Sequence, residues 1–142
     1  MNAARGPLIV CAMALAIASV AGADPRTDYI LNCQGCHAAD GSGATAAVPD
    51  FRDQLGKFVR VPGGREYLVR VPGTSQSELN DARLAAMLNW MLREFSPAEL
   101  PLGFAPYTEA EIARMRRPPF TDVAAVRRRL IAEISLLPPA AP

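Results

Sequence analysis

Three residues with ligand chemistry lie within five positions of one another, in the segment Cys33-Gln34-Gly35-Cys36-His37. A cysteine thiolate is both a nucleophile and a metal ligand, and the imidazole of histidine is a common ligand of transition metals. His37 is the only histidine in the chain of 142 residues, and Cys11 is the only other cysteine. Any thiol, metal or redox chemistry of the chain is therefore expected at this segment.

The spacing of these residues is the C-x-x-C-H pattern of covalent haem c attachment. On a helical turn, two thiols three residues apart reach the two vinyl groups on one side of a haem. The histidine that follows directs its imidazole to the iron as the proximal ligand, and Gly35 leaves room for the porphyrin beside the backbone. We therefore expect Cys33 and Cys36 to form thioethers to one haem c and His37 to bind its iron.

Three other interpretations of the segment are weaker. A disulfide between Cys33 and Cys36 would close a very small loop and would stabilise the fold little. A thioredoxin-like redox pair needs a βαβ context, which the sequence pattern does not indicate. A zinc ion would find only three soft ligands, and His37 directly after Cys36 gives poor chelate geometry.

Residues 1–23 have the pattern of a secretory signal, with Arg5 before an apolar stretch and Ala21-Gly22-Ala23 as a cleavage site. The apolar stretch of about 14 residues is shorter than the ~20 residues that span a bilayer, so we expect cleavage rather than a retained anchor. Cleavage before Asp24 would remove Cys11 and leave 14 basic and 14 acidic residues. We expect export to a bacterial periplasm and no stable membrane insertion afterwards.

The composition limits the classes of function. Half of the residues are hydrophobic and the formal net charge is +1, which excludes a wholly disordered chain and argues against nucleic acid as a partner. Only 6% of the residues are aromatic, so aliphatic side chains, or a group that is not protein, must fill the core. No spacing of a nucleophile and a base suggests a catalytic residue, and the prediction is a carrier rather than an enzyme.

Helical periodicity is strongest between Asn80 and Phe95, where apolar residues recur at i, i+3, i+4, i+7, i+8 and i+11. Asn80 is a suitable N-cap, and Ser96-Pro97 ends the pattern. An earlier stretch, Gly64 to Val71, lies between two copies of Val-Arg-Val-Pro-Gly. Its pattern is compatible with either a short helix or a strand.

The tail, residues 96–142, is predicted to form two helices and to fray at its Pro-rich end. Thr108-Glu109-Ala110-Glu111 has the capping-box pattern and begins the first helix, which Pro118 ends. Thr121 or Asp122 begins the second. The apolar face of the second helix consists of Val123, Val126, Leu130 and Ile134.

Six arginines of the tail are interpreted either as a docking patch for an acidic partner or as a solvated face. They are Arg114, Arg116, Arg117, Arg127, Arg128 and Arg129.

Residues 26–95 resemble the class I c-type cytochromes. The resemblance rests on C-x-x-C-H, the Gly-rich turn from Ala38 to Gly43, Pro49, and the helix that contains Trp90. It implies an all-α fold, with a cytochrome c-like haem domain at residues 24–95 and a helical extension at residues 96–142. It also implies that a carbonyl at or just before Pro49 accepts the Nδ1 proton of His37, that Trp90 packs on the N-terminal helix near Tyr29, and that the segment before Val71 is helical.

The chain departs from that family at the distal ligand. Class I cytochromes usually present a methionine from the loop before the last helix, but residues 72–80 contain none. After cleavage the candidates for the distal ligand are Met87, Met91 and Met115, and ordinary core packing is the alternative explanation for each of them. If none of them binds, the iron is five-coordinate or is bound by Lys57, water or another weak ligand.

The resemblance implies a periplasmic carrier of single electrons. Its partners would be redox proteins, such as a dehydrogenase that donates electrons to it or carries it as a cytochrome subunit, and a downstream cytochrome or oxidase. The alternative is a haem protein with an open distal site that binds or senses a small ligand. A peroxidase would want a distal histidine, and the chain has no second one.

Overall fold

The computed structural model describes residues 24–139, which form helices and turns without any strand. In chain order the helices are α1 (Pro25–Asn32), α2 (Gln34–His37), α3 (Leu55–Phe58), α4 (Gly64–Arg70), α5 (Pro72–Ser75), α6 (Asp81–Phe95), α7 (Glu109–Met115) and α8 (Val123–Ile134), with a 3-10 turn at Pro97–Glu99. The predicted all-α fold class is confirmed for this part of the chain. The predicted signal, residues 1–23, lies outside the described residues. No helix of residues 24–139 has the length and hydropathy to cross a bilayer.

Helix α6 forms where the periodicity predicts it. The side chain of Asn80 accepts a hydrogen bond from the backbone N–H of Arg83 at 2.9 Å, which caps the first turn. One face of the helix is buried, and it consists of Leu84, Ala85, Met87, Leu88, Met91, Leu92 and Phe95. The predicted start and end of this helix are confirmed.

Helices α1 and α6 pack against each other through aromatic rings. The ring centroid of Tyr29 lies 5.4 Å from that of Trp90 and 5.1 Å from that of Phe95. The predicted contact between Tyr29 and Trp90 is therefore confirmed. Beside the rings, the fully buried carboxylate of Asp28 binds the guanidinium of Arg83, so the charge on this interface is paired as burial requires.

Helix α4 resolves the ambiguity left by the repeated Val-Arg-Val-Pro-Gly segments, because Gly64–Arg70 is helical. The short-helix interpretation is confirmed and the strand interpretation is wrong. Tyr67 on this helix stacks on Phe58 of α3 with ring centroids 5.0 Å apart. Both side chains are buried.

The tail forms its two predicted helices and packs onto the same core. Tyr107, Ile112 and Leu130 are buried in one cluster with the side chains of α1, α4 and α6. The side-chain amide of Asn89 accepts from the backbone N–H of Tyr107 at 2.7 Å and donates to its carbonyl at 2.9 Å. Asp122 caps α8, accepting from the N–H of Ala125 at 2.8 Å.

The predicted capping box lies at the start of α7. The hydroxyl of Thr108 accepts from the N–H of Glu111 at 3.2 Å, as the pattern predicts. Both oxygens of the Glu111 carboxylate also bind Arg65 of α4 at 2.7 Å, and this pairing lowers the pKa of Glu111 more than the backbone of Thr108 does. The ion pair between Glu111 and Arg65 ties α7 to α4.

Candidate cofactor site

The C-x-x-C-H segment forms the junction of the first two helices. α1 ends at Asn32, and the single turn of α2 carries Cys36 and His37. The thiols of Cys33 and Cys36 are free. Burial, with a smaller contribution from the charge of Cys36, raises the pKa of the Cys33 thiol to about 11. The disulfide is thus absent, and without strands in residues 24–139 there is no βαβ context for a thioredoxin-like pair.

The imidazole of His37 is held by two neighbours. Its Nδ1 lies 3.2 Å from the carbonyl oxygen of Pro49, and its ring stacks on Phe51 with centroids 3.8 Å apart. A carbonyl only accepts hydrogen bonds, so Nδ1 carries the hydrogen and Nε2 keeps its lone pair. Burial lowers the pKa of His37, and the bond to Pro49 opposes that effect. The hydrogen bond that the resemblance implies is present, and it orients the ring as the partners of metal-binding histidines do.

The loop after His37 folds back onto the segment. The hydroxyl of Tyr29 donates to the carbonyl of Ala38 at 2.6 Å, and the N–H of Ala44 donates to the carbonyl of Cys36 at 2.8 Å. Gly43 has a φ of +78°, and a Cβ there would lie 2.5 Å from the carbonyl oxygen of Val48, so only glycine fits the turn. The predicted Gly-rich turn is confirmed, and it fixes the backbone of the segment.

A cavity of about 420 Å³ opens beside the segment. Its volume is within the usual range of small-molecule sites. Cys33, Gly35, Cys36 and His37 lie in its wall. A Cβ on Gly35 would meet no atom within 4 Å, so the backbone is open there. The apolar part of the wall comes from several elements and consists of Leu31, Phe51, Leu55, Phe58, Leu68, Val71, Leu88, Met91 and Val123.

This wall suits a haem attached through the segment. It offers two free thiols, one imidazole with an available lone pair, and apolar side chains for a flat apolar ring. Across residues 24–139, no group of three or more His, Cys, Asp and Glu side chains is placed to hold a metal ion. The imidazole of His37 is therefore suited to a metal ion that is already coordinated by a macrocycle.

The structure separates the methionines that the sequence left as candidates. Met91 lines the cavity. The Sδ of Met87 lies 3.9 Å from the Sγ of Cys33, on the side where the thiols are. Met115 packs against the core but is not part of the cavity wall. Lys57 is also outside the wall, and its Nζ lies 3.8 Å from a carboxylate oxygen of Glu99.

Two arginines of the tail have roles that the sequence interpretation missed. Arg116 is buried and donates to the carbonyls of Ser75 at 3.0 Å and Leu79 at 2.6 Å, as well as to Ser77 and the carboxylate of Asp81. Neither a docking patch nor a solvated face describes it. Arg127 lines the cavity.

A signal for Arg127 was present in the spacing. Arg127 follows Val123 by four residues and precedes Leu130 by three, so it shares their face of the helix. The basic run Arg127-Arg128-Arg129 concealed this position. No comparable signal marks Arg116, because its partners lie in a distant loop.

Comparison with known proteins agrees with the class of site. The chain is 30% identical over 132 residues to a cytochrome c-552 of Thermus thermophilus, an alignment that spans 79% of this chain and 88% of that protein. A second cytochrome c-552 of Thermus thermophilus is 30% identical over 118 residues, spanning 69% of this chain and 90% of the relative. No family model matches the chain.

A helical fold around a cavity with two thiols and an oriented imidazole defines a candidate haem protein. With the two relatives, the chain is assigned more narrowly: it belongs to the c-type cytochrome family.

Proposed function

We propose that this chain is a single-haem electron carrier of the class I type. One haem c would be bound through thioethers to Cys33 and Cys36, with His37 as the proximal ligand of its iron. The observation that carries the proposal is the wall of the cavity. It holds both free thiols and the lone pair of an imidazole that Pro49 has already oriented.

Different residues of the chain would attach the haem, bind its iron and exclude water from it. Each thiol would add across a vinyl group, with sulfur bonding one carbon and the S–H hydrogen going to the other. The carbonyl of Pro49 keeps the hydrogen on Nδ1 of His37, so that the lone pair of Nε2 would be available to bind the iron. The apolar wall excludes water, which is one of the means by which a protein sets a reduction potential. The haem itself supplies one-electron oxidation and reduction.

The setting of the reaction is part of the same proposal. Residues 1–23 would be removed near Ala23 during export to the periplasm. Residues 24–95 would form the haem domain and residues 96–142 its extension. The donor and acceptor would be exported redox proteins, for example a dehydrogenase and a downstream cytochrome or oxidase. The charge balance of the chain, with a formal net charge of +1, gives no preference for nucleic acid.

Covalent haem is the first prediction to test. The full chain is produced in a bacterium that attaches haem c, and the haem that stays with the protein after acid–acetone extraction is measured. We expect one haem per wild-type chain and none on the Cys33→Ala/Cys36→Ala variant. Gln34→Ala, inside the same segment, is the matched control and should retain its haem. Complete extraction from the wild-type chain would contradict the proposal.

A second candidate function, binding of a small ligand at an open iron, is favoured by one observation. The segment of the wall at residues 71–75 has no methionine, histidine, lysine or cysteine, and Met87 and Met115 are not in the wall. Met91 is on α6 one turn after Met87, and that face of α6 meets Cys33 and α1. Met91 is thus expected to pack against the bound ring instead of ligating the iron.

Carbon monoxide separates the two candidates. If the iron is open, as the second candidate requires, the reduced wild-type protein binds carbon monoxide and Met91→Leu leaves its absorption spectrum unchanged. Met87→Leu serves as the control, because it removes a buried methionine sulfur without a change at the cavity wall. A wild-type spectrum insensitive to carbon monoxide, which becomes sensitive in Met91→Leu, would identify Met91 as the sixth ligand and leave electron transfer as the sole function.

A further inference from the structure

Arg127 is the one arginine or lysine among the described residues of the cavity wall. Its guanidinium carbon lies 5.5 Å from the ring centroid of Phe58, which also lines the cavity. Helix α8 fixes this position, since Leu130 is fully buried one turn later and Val123 lines the cavity one turn earlier. The fold therefore fixes the backbone position of Arg127 beside the cavity, and the guanidinium lies over the Phe58 ring.

Arg127 differs from the comparable cations of the chain. Among residues 24–139, every other arginine or lysine that is not exposed has a carboxylate within 4.0 Å; these are Lys57, Arg60, Arg65, Arg70, Arg83 and Arg116. Arg127 is half-buried and has neither a carboxylate nor a hydrogen-bond partner in that part of the chain. The acidic residue of the cavity wall, Asp50, is already bound by Arg52 at 2.7 Å.

A cation removed from water needs a counter-charge or hydrogen-bond acceptors, because desolvation is otherwise uncompensated. The Phe58 ring supplies only a weak attraction of about 1 kcal/mol. The wall provides no free acid, so the missing anion belongs to whatever fills the cavity. A guanidinium is well suited to a carboxylate, which it can bind with two parallel hydrogen bonds.

We propose that Arg127 binds a propionate carboxylate of the haem, an inference that rests on the proposed haem c assignment. The tail helix α8 is then part of the haem site. Arg127 supplies the positive charge that sets the electrostatics of that carboxylate. The remaining arginines of the run are not needed for this role: Arg128 is exposed, and Arg129 pairs with Glu133 at 2.8 Å.

The test uses the haem-loaded full chain. Its midpoint potential is measured for the wild type, Arg127→Gln, Arg127→Lys and the control Arg128→Gln. Loss of a cation beside the haem favours the oxidised form, so Arg127→Gln should lower the potential. We expect the equilibrium between the two forms to change threefold to tenfold, where tenfold is about 59 mV for one electron. Arg127→Lys should recover most of the shift, and Arg128→Gln should match the wild type.

A second readout identifies the carboxylate. Infrared spectra of the oxidised-minus-reduced protein are recorded with haem labelled by ¹³C in its propionate carboxyl groups. The labelled bands should move in Arg127→Gln and not in Arg128→Gln. If Arg127→Gln folds too poorly for titration, Arg127→Lys is decisive, because exchange of a two-point donor for a point charge must still shift the labelled bands.

Two results would overturn the assignment of Arg127. One is unchanged labelled bands and an unchanged potential in a variant that carries its haem. The other is a wild-type potential with slower reduction by a protein donor, which would place a partner's carboxylate at Arg127. A chain that never retains haem would contradict the proposed function, and that result is distinct from the two results that contradict the role of Arg127.

Discussion

At the scale of single residues, one side chain organises the loop between α5 and α6. The guanidinium of Arg116 is buried and is satisfied by three backbone carbonyls, the hydroxyl of Ser77 and the carboxylate of Asp81. A buried charge is tolerated only when its hydrogen-bonding capacity is used in this way. The loop before α6 is thus held by a residue of the tail, next to the segment that contributes Gly73 and Thr74 to the cavity wall.

Substitution of Arg116 tests that role. We expect Arg116→Ala to lower the free energy of unfolding by about 3 kcal/mol, since it leaves three carbonyls and Asp81 without their donor. Guanidinium chloride unfolding of the haem-loaded protein measures the change. Arg114→Ala, at an exposed position in the last turn of α7, should stay within about 0.5 kcal/mol of the wild type. Equal free energies of unfolding for the two variants would contradict a stabilising role of Arg116 in the loop.

At the scale of elements, contacts between helices add to the local patterns that begin them. The sequence pattern of α7 predicts that Glu111 caps its own helix, and the structure also pairs this carboxylate with Arg65 of α4. Arg65 also stacks on Tyr107, with its guanidinium carbon 4.0 Å from the ring centroid, and donates to the carbonyl of Ala105 at 3.0 Å. One arginine therefore joins α4 to both the start of α7 and the segment that leads into it.

This pair makes stability depend on pH. The hydrogen bonds from Arg65 hold the pKa of Glu111 below its ordinary value of 4.5. A carboxyl whose pKa is lowered by folding stabilises the fold above its unfolded pKa, and the contribution is lost as the pH falls through the folded pKa. Glu111→Gln should therefore cost about 1 kcal/mol at pH 7, and the difference from the wild type should disappear as the pH falls below 4.5.

Urea unfolding of both proteins between pH 3 and pH 7 gives that difference directly. Glu109→Gln is the control, since Glu109 is exposed in the same first turn of α7. A wild-type advantage that stays constant down to the most acidic point would show that the pair does not titrate in this range.

At the scale of the whole molecule, the tail shares the core of the preceding residues. Tyr107, Ile112 and Leu130 are buried in the same cluster as Tyr29 and Leu84. The hydroxyl of Ser96, just after α6, accepts from the N–H of Gly56 at 3.0 Å. Whether residues 24–95 form a unit of their own stays a prediction, but the packing indicates that their stability depends on the tail.

Truncation tests this dependence. A chain that ends at Phe95 would expose the faces of α4 and α6 that the tail covers and would lose Arg116, Glu111 and Asn89's partner Tyr107. We expect it to show no cooperative thermal unfolding by far-ultraviolet circular dichroism, whereas a chain ending at residue 139 unfolds like the wild type. A truncated chain that folds and keeps its haem would instead make the tail a separable attachment, and its reduction rate would then show whether the tail docks a partner.

The local part of this protein is readable from the sequence. Cys33, Cys36 and His37 are adjacent, so their spacing alone predicts the attachment chemistry, and the structure places them in one cavity wall. The bounds of α6, the helical state of α4 and both tail helices also follow from periodicity, caps and resemblance. These features depend on interactions between residues a few positions apart, which a sequence displays directly.

Tertiary structure decided what depends on distant residues. Which methionine reaches the cavity, where the carboxylate of Glu111 goes, and why Arg116 is buried all depend on partners more than 30 residues away. The same holds for Arg127, whose place in the cavity wall requires α8 to fold back over α3 and α4. Burial and pairing of charges are properties of the packed molecule. A run of arginines in a sequence therefore does not show which of their side chains will be buried.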